Sequence, residues 1–246
     1  MKIDNKDFWE KDDIIATQRL KKISDFEQSM LENAKSRYKE FGEIKNIKIF
    51  GCGSGREIES IAEYYKPSRI VASDISENMI VKCNENLKLW NIDAFTETLA
   101  GNAKDYNSVT NSFELVTILN SMLTYVPNYE DRILIFKNSF NALKNNGVII
   151  GTVHNQEGAT AKTLYFKART FFSFILGKKV GNRTTGFNGF KVSGYYYSKK
   201  QLNLDLETSG FTSIEINSLS EFYLKHGVNY NSKKGYNNLI FIASKK

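Results

Sequence analysis

Two features of this 246-residue chain could do chemistry on a shared ligand. One is a glycine turn, Gly51, Gly53 and Gly55, set between the apolar run at 47–50 and the segment that begins Arg56, Glu57, Ile58. The other is Asp74, about twenty residues further on, at the end of a second apolar run at 69–73. Glycines let the backbone turn sharply and approach a ligand closely, and a helix starting just beyond them aims free N–H groups at the same point. A carboxylate closing the next strand can accept hydrogen bonds from both hydroxyls of a ribose. Strand, glycine turn, helix and acid-terminated strand, in that order, describe a nucleotide-type pocket at the head of a parallel sheet. A dinucleotide turn wants a third glycine where this chain carries Arg56, so nicotinamide dinucleotides are not expected to bind.

His154 is the candidate base, because it follows the apolar run at 148–153 and so falls at the carboxyl edge of the sheet. The alternative is that it holds its loop by bonding backbone. His226 is a weaker candidate. The two histidines are far apart in sequence, and no cluster of carboxylates or cysteines flanks either, so no metal site is expected.

Positioning these residues requires a sheet. Apolar runs at 47–50, 69–73, 95–99, 114–119 and 148–153 alternate with helical stretches, which calls for a parallel sheet with helices on both faces. A helix from 198, stopped by Gly210, leads to strands at 211–218 and 238–244 that would form an antiparallel edge. Residues 13–41 space Ile23, Phe26, Met30, Ala34, Tyr38 and Phe41 at near-helical intervals, predicting one or two helices against the sheet. The organisation expected is an N-terminal helical segment (1–44) and a main domain (45–246) with an inserted cap at about 156–197.

The turn reads G-x-G-x-G, and it is followed in register by Ser73-Asp74-Ile75-Ser76-Glu77-Asn78-Met79, Gly101-Asn102-Ala103 and the helix, turn and strand that run from Phe140 through Gly147 to Val153. Together these resemble the class I S-adenosylmethionine-dependent methyltransferases of small-molecule type. The resemblance implies an α/β, doubly wound, Rossmann-like sheet of seven mostly parallel strands with an antiparallel last strand. It implies S-adenosyl-L-methionine as cofactor and S-adenosyl-L-homocysteine as product. It also places Gly51, Cys52, Gly53, Gly55, Asp74, Ile75, Met79, Asn102, Ala103, Leu119, Asn120 and Ser121 around the cofactor. Asn102 stands where an Asp is commoner, and either side chain can bond the adenine amine. In related enzymes the N-terminal segment closes over the methionine end of the cofactor, which would bring Phe8 and Trp9 near the reaction centre; otherwise Trp9 staples the first helix.

Acceptor specificity is expected in the insertion. Residues 156–200 carry nine basic side chains against the single acid Glu157, while the whole chain has a net charge of +7, so the basicity belongs to this segment. Leu164, Ala168, Phe171, Phe172, Ile175 and Leu176 recur at helical spacing, predicting an amphipathic helix over 159–177 that lies across the sheet's carboxyl edge. Aromatic walls with Lys and Arg heads suit a phosphate or carboxylate, and Trp9, Arg169, Arg183, Lys191 and Tyr195 are the candidate acceptor contacts. The other reading makes the aromatics a satellite core and the lysines solvated.

The expected activity is methyl transfer to O or N of a small, anionic or sugar-like acceptor, with bacterial surface-polysaccharide biosynthesis as one setting. The Asp/Asn-Pro-Pro-Tyr motif that the resemblance would bring for amino-methylation of nucleic acid is absent; 119–123 reads Leu-Asn-Ser-Met-Leu. An RNA methyltransferase gripping phosphates with the basic aromatic insertion is the alternative. Two unpaired-looking cysteines, a polar N-terminus and no run of about 18 apolar residues point to a soluble, unprocessed, cytoplasmic protein.

Overall fold

Short apolar strands alternate with helical segments over residues 46–154, and these strands pair with one another in parallel. A computed structural model describes residues 4–17, 22–106, 110–187, 189–234 and 236–246. Three helices come first: α1 (Asn5–Trp9), α2 (Asp12–Thr17) and α3 (Asp25–Tyr38). The sheet then builds through β1 (Asn46–Phe50), α4 (Arg56–Tyr65), β2 (Arg69–Asp74), α5 (Glu77–Leu89), β3 (Thr96–Ala100), β4 (Phe113–Ile118), α6 (Tyr129–Ala142) and β5 (Leu143–His154). The insertion contains α7 (Thr160–Phe171), α8 (Ser173–Leu176) and the hairpin β6 (Asn182–Phe187) and β7 (Phe190–Tyr195). It is followed by α9 (Lys199–Thr208), β8 (Thr212–Ser218), α10 (Leu219–Lys225) and β9 (Asn238–Ser244).

Seven strands pair in the order β3-β2-β1-β4-β5-β9-β8, and β9 runs antiparallel to both its neighbours. The order reverses between β1 and β4, so the loops leaving their carboxyl ends splay apart and open a crevice there. One face of the sheet buries Ile47, Ile49, Ile70 and Leu115 against α3, α4 and α5; the other buries Phe50, Val116, Ile149 and Phe241 against α6 and α9. The expected sheet is present, with three local differences. β5 begins at Leu143 rather than at 148, because Phe113 pairs with Leu143 and the register then slips to Leu115 with Val148. Asn146, at φ 65°, carries the slip and donates its N–H to Lys245 O at 2.7 Å. The last two strands are not a direct hairpin, since α10 lies between them. The helix predicted over 159–177 ends at Phe171 and resumes for four residues, and its expected core face is turned outward. Phe166 is buried, but Phe171 is 76% exposed and Ile175 71%. The sheet's carboxyl edge is already covered by the N-terminal segment and the β6–β7 hairpin. Residues 18–21 of the N-terminal prediction lie outside the described residues.

Lys48 in β1 alternates onto the same side as Phe50 and is wholly buried. Its Nζ donates to Ser73 Oγ at 3.0 Å and stands 3.9 Å from the Tyr106 ring centroid. Burial pulls its pKa down to about 7. The unfolded chain would hold this proton up to about pH 10.4, so between pH 7 and that value the unfolded state binds more protons and stability rises with pH. Lys48→Met should therefore be more stable than the parent at pH 7, with its advantage smaller by about 2 kcal/mol at pH 9. Urea unfolding of both proteins at the two pH values checks this; an advantage independent of pH would contradict it.

Candidate active site

The glycine turn closes onto the end of β2 through backbone bonds: Gly51 N and Cys52 N both donate to Ser73 O, at 2.7 and 3.1 Å. Gly51 (φ 71°) and Gly53 (φ 52°) occupy the left-handed region that side chains resist. A Cβ at Gly51 would overlap the Met122 side chain, whereas one at Gly53 would meet no protein atom within 4 Å. Gly53 is thus the position where the chain leaves room for something else. Gly55 caps α4, and Arg56 on the first turn of α4 pairs with Glu27 of α3, Nη1 to Oε2 at 3.0 Å. Burial would raise the Glu27 carboxyl, but its bonds to Arg56 and Ser24 hold it below the usual range. Arg56 therefore ties α3 to the turn.

Asp74 joins two loops. Its Oδ2 accepts from Gly53 N at 2.8 Å and its Oδ1 from Ser76 N at 3.0 Å. Burial raises its pKa, while those N–H groups oppose the rise. Each carboxylate oxygen retains a lone pair for a further donor. Ser76 caps α5, and on the same helix end sits Glu10, whose Oε1 accepts from Glu77 N at 2.8 Å and Oε2 from Asn78 N at 3.2 Å. Burial raises the Glu10 carboxyl, yet these backbone bonds and Ser76 leave it lowered, as suits an anion at a helix N-terminus. Asn78 Nδ2 returns a bond to Glu10 O at 2.9 Å. Further along, Asn5 Nδ2 donates to Ser193 O at 3.0 Å and also to Tyr125 O, while Trp9 meets Tyr125 edge-on at 5.1 Å.

The N-terminal segment thereby roofs a cavity of about 720 Å3, within the ~300–1,000 Å3 usual for small-molecule sites. Gly51, Gly53, Asp74, Ile75, Met79, Asn102, Ala103 and Asn120 line it, and Trp9 forms part of its roof. Asn102 Oδ1 accepts from Lys104 N at 3.2 Å and keeps a second lone pair. Cys52, Gly55, Leu119 and Ser121 are packed behind this wall; Ser121 N donates to Thr152 Oγ1 at 2.8 Å, and Cys52 lies buried beside Cys83. Additional lining comes from Asn5, Lys6, Met122, Tyr125 and Ser193. They come from three separate parts of the chain, 5–6, 122–125 and 193.

Of the candidate acceptor contacts, the cavity gathers only Trp9. Arg169 Nε donates to Val180 O at 2.7 Å and serves the insertion's own loop. The Arg183 guanidinium lies 5.5 Å from the Tyr196 ring centroid, and Lys191 is exposed on β7. Tyr195 is buried against Tyr197, with the Arg132 guanidinium 3.5 Å over its ring. His154 stands one ring behind the cavity wall, 6.1 Å from Tyr125 and 5.2 Å from Tyr196 between centroids. Its buried Nδ1 meets no hydrogen-bond partner among the described residues, and burial together with the Lys162 charge lowers its pKa to about 4. His226 bonds Phe222 O through Nδ1 at 2.8 Å, beside a separate cleft. No group of three His, Cys, Asp or Glu able to hold a metal occurs among the described residues. No described helix is long and apolar enough to cross a membrane.

A seven-stranded sheet with this order, with a left-handed glycine turn and a carboxylate at the switch point, is the fold of the class I S-adenosylmethionine-dependent methyltransferases. Residues 47–147 match the family model described as "Methyltransferase domain". A carboxy-S-adenosyl-L-methionine synthase of Shewanella oneidensis is 29% identical over 109 residues, 43% of this chain and 43% of that protein. The chain thus matches less than half the length of these relatives. Among solved structures, a SAM-dependent methyltransferase of Methanosarcina mazei superposes with a TM-score of 0.65 at 18% identity, covering 92% of this chain and 99% of that one. Phosphoethanolamine N-methyltransferase 2 of Haemonchus contortus, in complex with S-adenosyl-L-methionine, gives 0.64 at 15% identity, covering 99% of this chain and 60% of that one.

The pocket's chemistry fits an adenosyl cofactor: a backbone cradle without side chains at Gly53, and a half-buried carboxylate with unused lone pairs beside it. Asp74→Ala should weaken S-adenosylhomocysteine binding by roughly 2–4 kcal/mol, through loss of ribose bonds and of the clamp on the turn. Gly53→Val should abolish it, since a β-branched residue is strained at that φ and adds bulk on the cavity wall. Calorimetric titration checks both, and undiminished affinity in Asp74→Ala would contradict the assignment.

Proposed function

We propose that this protein transfers a methyl group from S-adenosyl-L-methionine to an oxygen or nitrogen of a small acceptor of anionic or sugar-like character. The observation that carries the reading is the single roofed cavity that runs from Asp74 and Asn102 to Trp9, Tyr125 and Ser193. When bound, the cofactor would supply a methyl already activated on a sulfonium. What remains for the chain is alignment and exclusion of water. Asp74 would hold the ribose and Asn102 the adenine, while Gly51 and Gly53 allow the backbone close. The α1 segment, latched by Glu10 and Asn5, would shield the acceptor end. Lys6 and Lys104 lie in a lining that also holds Asp4, Asp74 and Asp131, with Lys104 paired to Asp131 at 3.1 Å, so an anionic group on the acceptor would sit beside Lys6.

His154 could take a proton only through Tyr125 or a bridging molecule, because it does not line the cavity. Tyr125 itself is a poor base, with its phenol pushed by burial up to about 12. We therefore assign His154 to the packing that orients Tyr125. A cytoplasmic setting, supported by the buried free thiols of Cys52 and Cys83, and a role in surface-polysaccharide biosynthesis belong to the same proposal. An RNA acceptor is disfavoured because the basic residues Arg169, Arg183 and Lys191 lie away from the roofed cavity.

The test is formation of S-adenosylhomocysteine on incubation with S-adenosylmethionine and a panel of phosphorylated sugars, small carboxylates and bulk RNA. Turnover is expected with a member of the small-molecule panel, and turnover with RNA alone would overturn the reading. With that acceptor, His154→Ala should lower kcat/KM by less than about tenfold; a loss of 10²-fold or more, the range typical of a general base, would restore it as the base.

A further inference from the structure

The α7–α8 segment has two unlike sides. Phe166 is buried against the body, and Arg169 is fixed to the following loop by its bond to Val180 O, so that side is anchored. Away from it, Leu164 is 61% exposed, Phe171 76%, Phe174 80% and Ile175 71%. Phe171 and Phe172 pack edge-to-face at 5.2 Å and share the exposed patch. Large apolar side chains this exposed and this contiguous mark an interaction site, since burying them gains about 25 cal/mol per Å2. They do not line the cofactor cavity.

Charge decides what fits. From 158 to 183 the chain carries Lys162, Lys167, Arg169, Lys178, Lys179 and Arg183 and no acidic residue. Lys167 lies on the exposed part of α7, and at the tip just beyond Ile175 and Leu176 both Lys178 and Lys179 are exposed, Lys178 with its Nζ 4.4 Å from the Tyr129 ring centroid. A second copy of this chain, docked symmetrically, would bring two such cationic faces together. A surface that is apolar in depth and anionic at its boundary answers both halves: aromatic and aliphatic side chains enter the acyl boundary while lysines meet the headgroups. We propose that the α7–α8 segment docks this protein on an anionic lipid bilayer as a peripheral surface. The proposal does not depend on the methyl acceptor.

Co-sedimentation of the full chain with vesicles of phosphatidylcholine containing 30% phosphatidylserine tests it, against pure phosphatidylcholine vesicles. The chain should pellet with the anionic vesicles and stay in the supernatant with the neutral ones. Phe171→Ser combined with Phe174→Ser and Ile175→Ser should reduce partitioning by roughly tenfold or more, and Lys178→Glu with Lys179→Glu should do the same. These side chains are exposed, so the variants should keep the parent's circular dichroism melt and S-adenosylhomocysteine affinity. Failure of the parent to pellet, or pelleting of both variants like the parent, would overturn the proposal. So would a dimer in solution that the triple serine variant converts to monomer while vesicles are ignored, which would assign the face to a second copy.

Discussion

The site depends on one half-buried carboxylate. Asp74 receives Gly53 N on one oxygen and Ser76 N on the other, so the glycine turn after β1 and the start of α5 are held to a common point at the sheet's switch. Two loops that would otherwise move independently become one rigid lip, at the place where strand order reverses and a ligand must enter. Burying a carboxylate is unfavourable unless it is hydrogen-bonded, and here backbone N–H groups supply those bonds without a positive side chain. That leaves its outward lone pairs for neutral hydroxyl donors, which is the chemistry of a ribose.

The roof follows from the same lip. Because Ser76 is held by Asp74, the first N–H groups of α5 point outward, where Glu10 takes two of them and fixes the N-terminal segment across the cavity. Glu27 of α3 pairs with the Arg56 side chain at the start of α4, which ties that helix end to α3. The acidic residues of an otherwise basic protein do structural work here, and the excess of lysine and arginine is displaced into the insertion.

What was legible in the sequence was local. Gly51, Gly53 and Asp74 announce themselves because their requirement is a backbone one, set by neighbours within a few residues, and the alternation of apolar runs dictates a parallel sheet whatever the loops do. Glu10, Asn5 and Ser193 were not legible, since each reaches the site across tens of residues and none has a distinctive local pattern, whereas Met122 lies just beyond the stretch 119–121 that register had singled out. Arg169 and Arg183 misled for a related reason: their charge is visible in sequence, but Arg169 is used on the carbonyl of Val180 and Arg183 lies near the rings of Tyr165 and Tyr196. Periodicity predicted one amphipathic helix over 159–177, where the structure has α7 ending at Phe171 and the short α8, and it cannot tell a face that meets the core from one that meets something outside the chain. Leu119 and Ser121 show the limit of motif register, being adjacent in sequence to the lining residue Asn120 and pointing into the core.

The central claim is that the crevice above Asp74 is an adenosyl-cofactor site, and a crystal structure with S-adenosylhomocysteine tests it most directly. The account predicts the ribose hydroxyls within about 3 Å of the Asp74 carboxylate, the adenine beside Asn102 and Ala103, and the homocysteine end beneath Trp9. No binding at millimolar ligand, or density for the ligand away from Asp74, would contradict it.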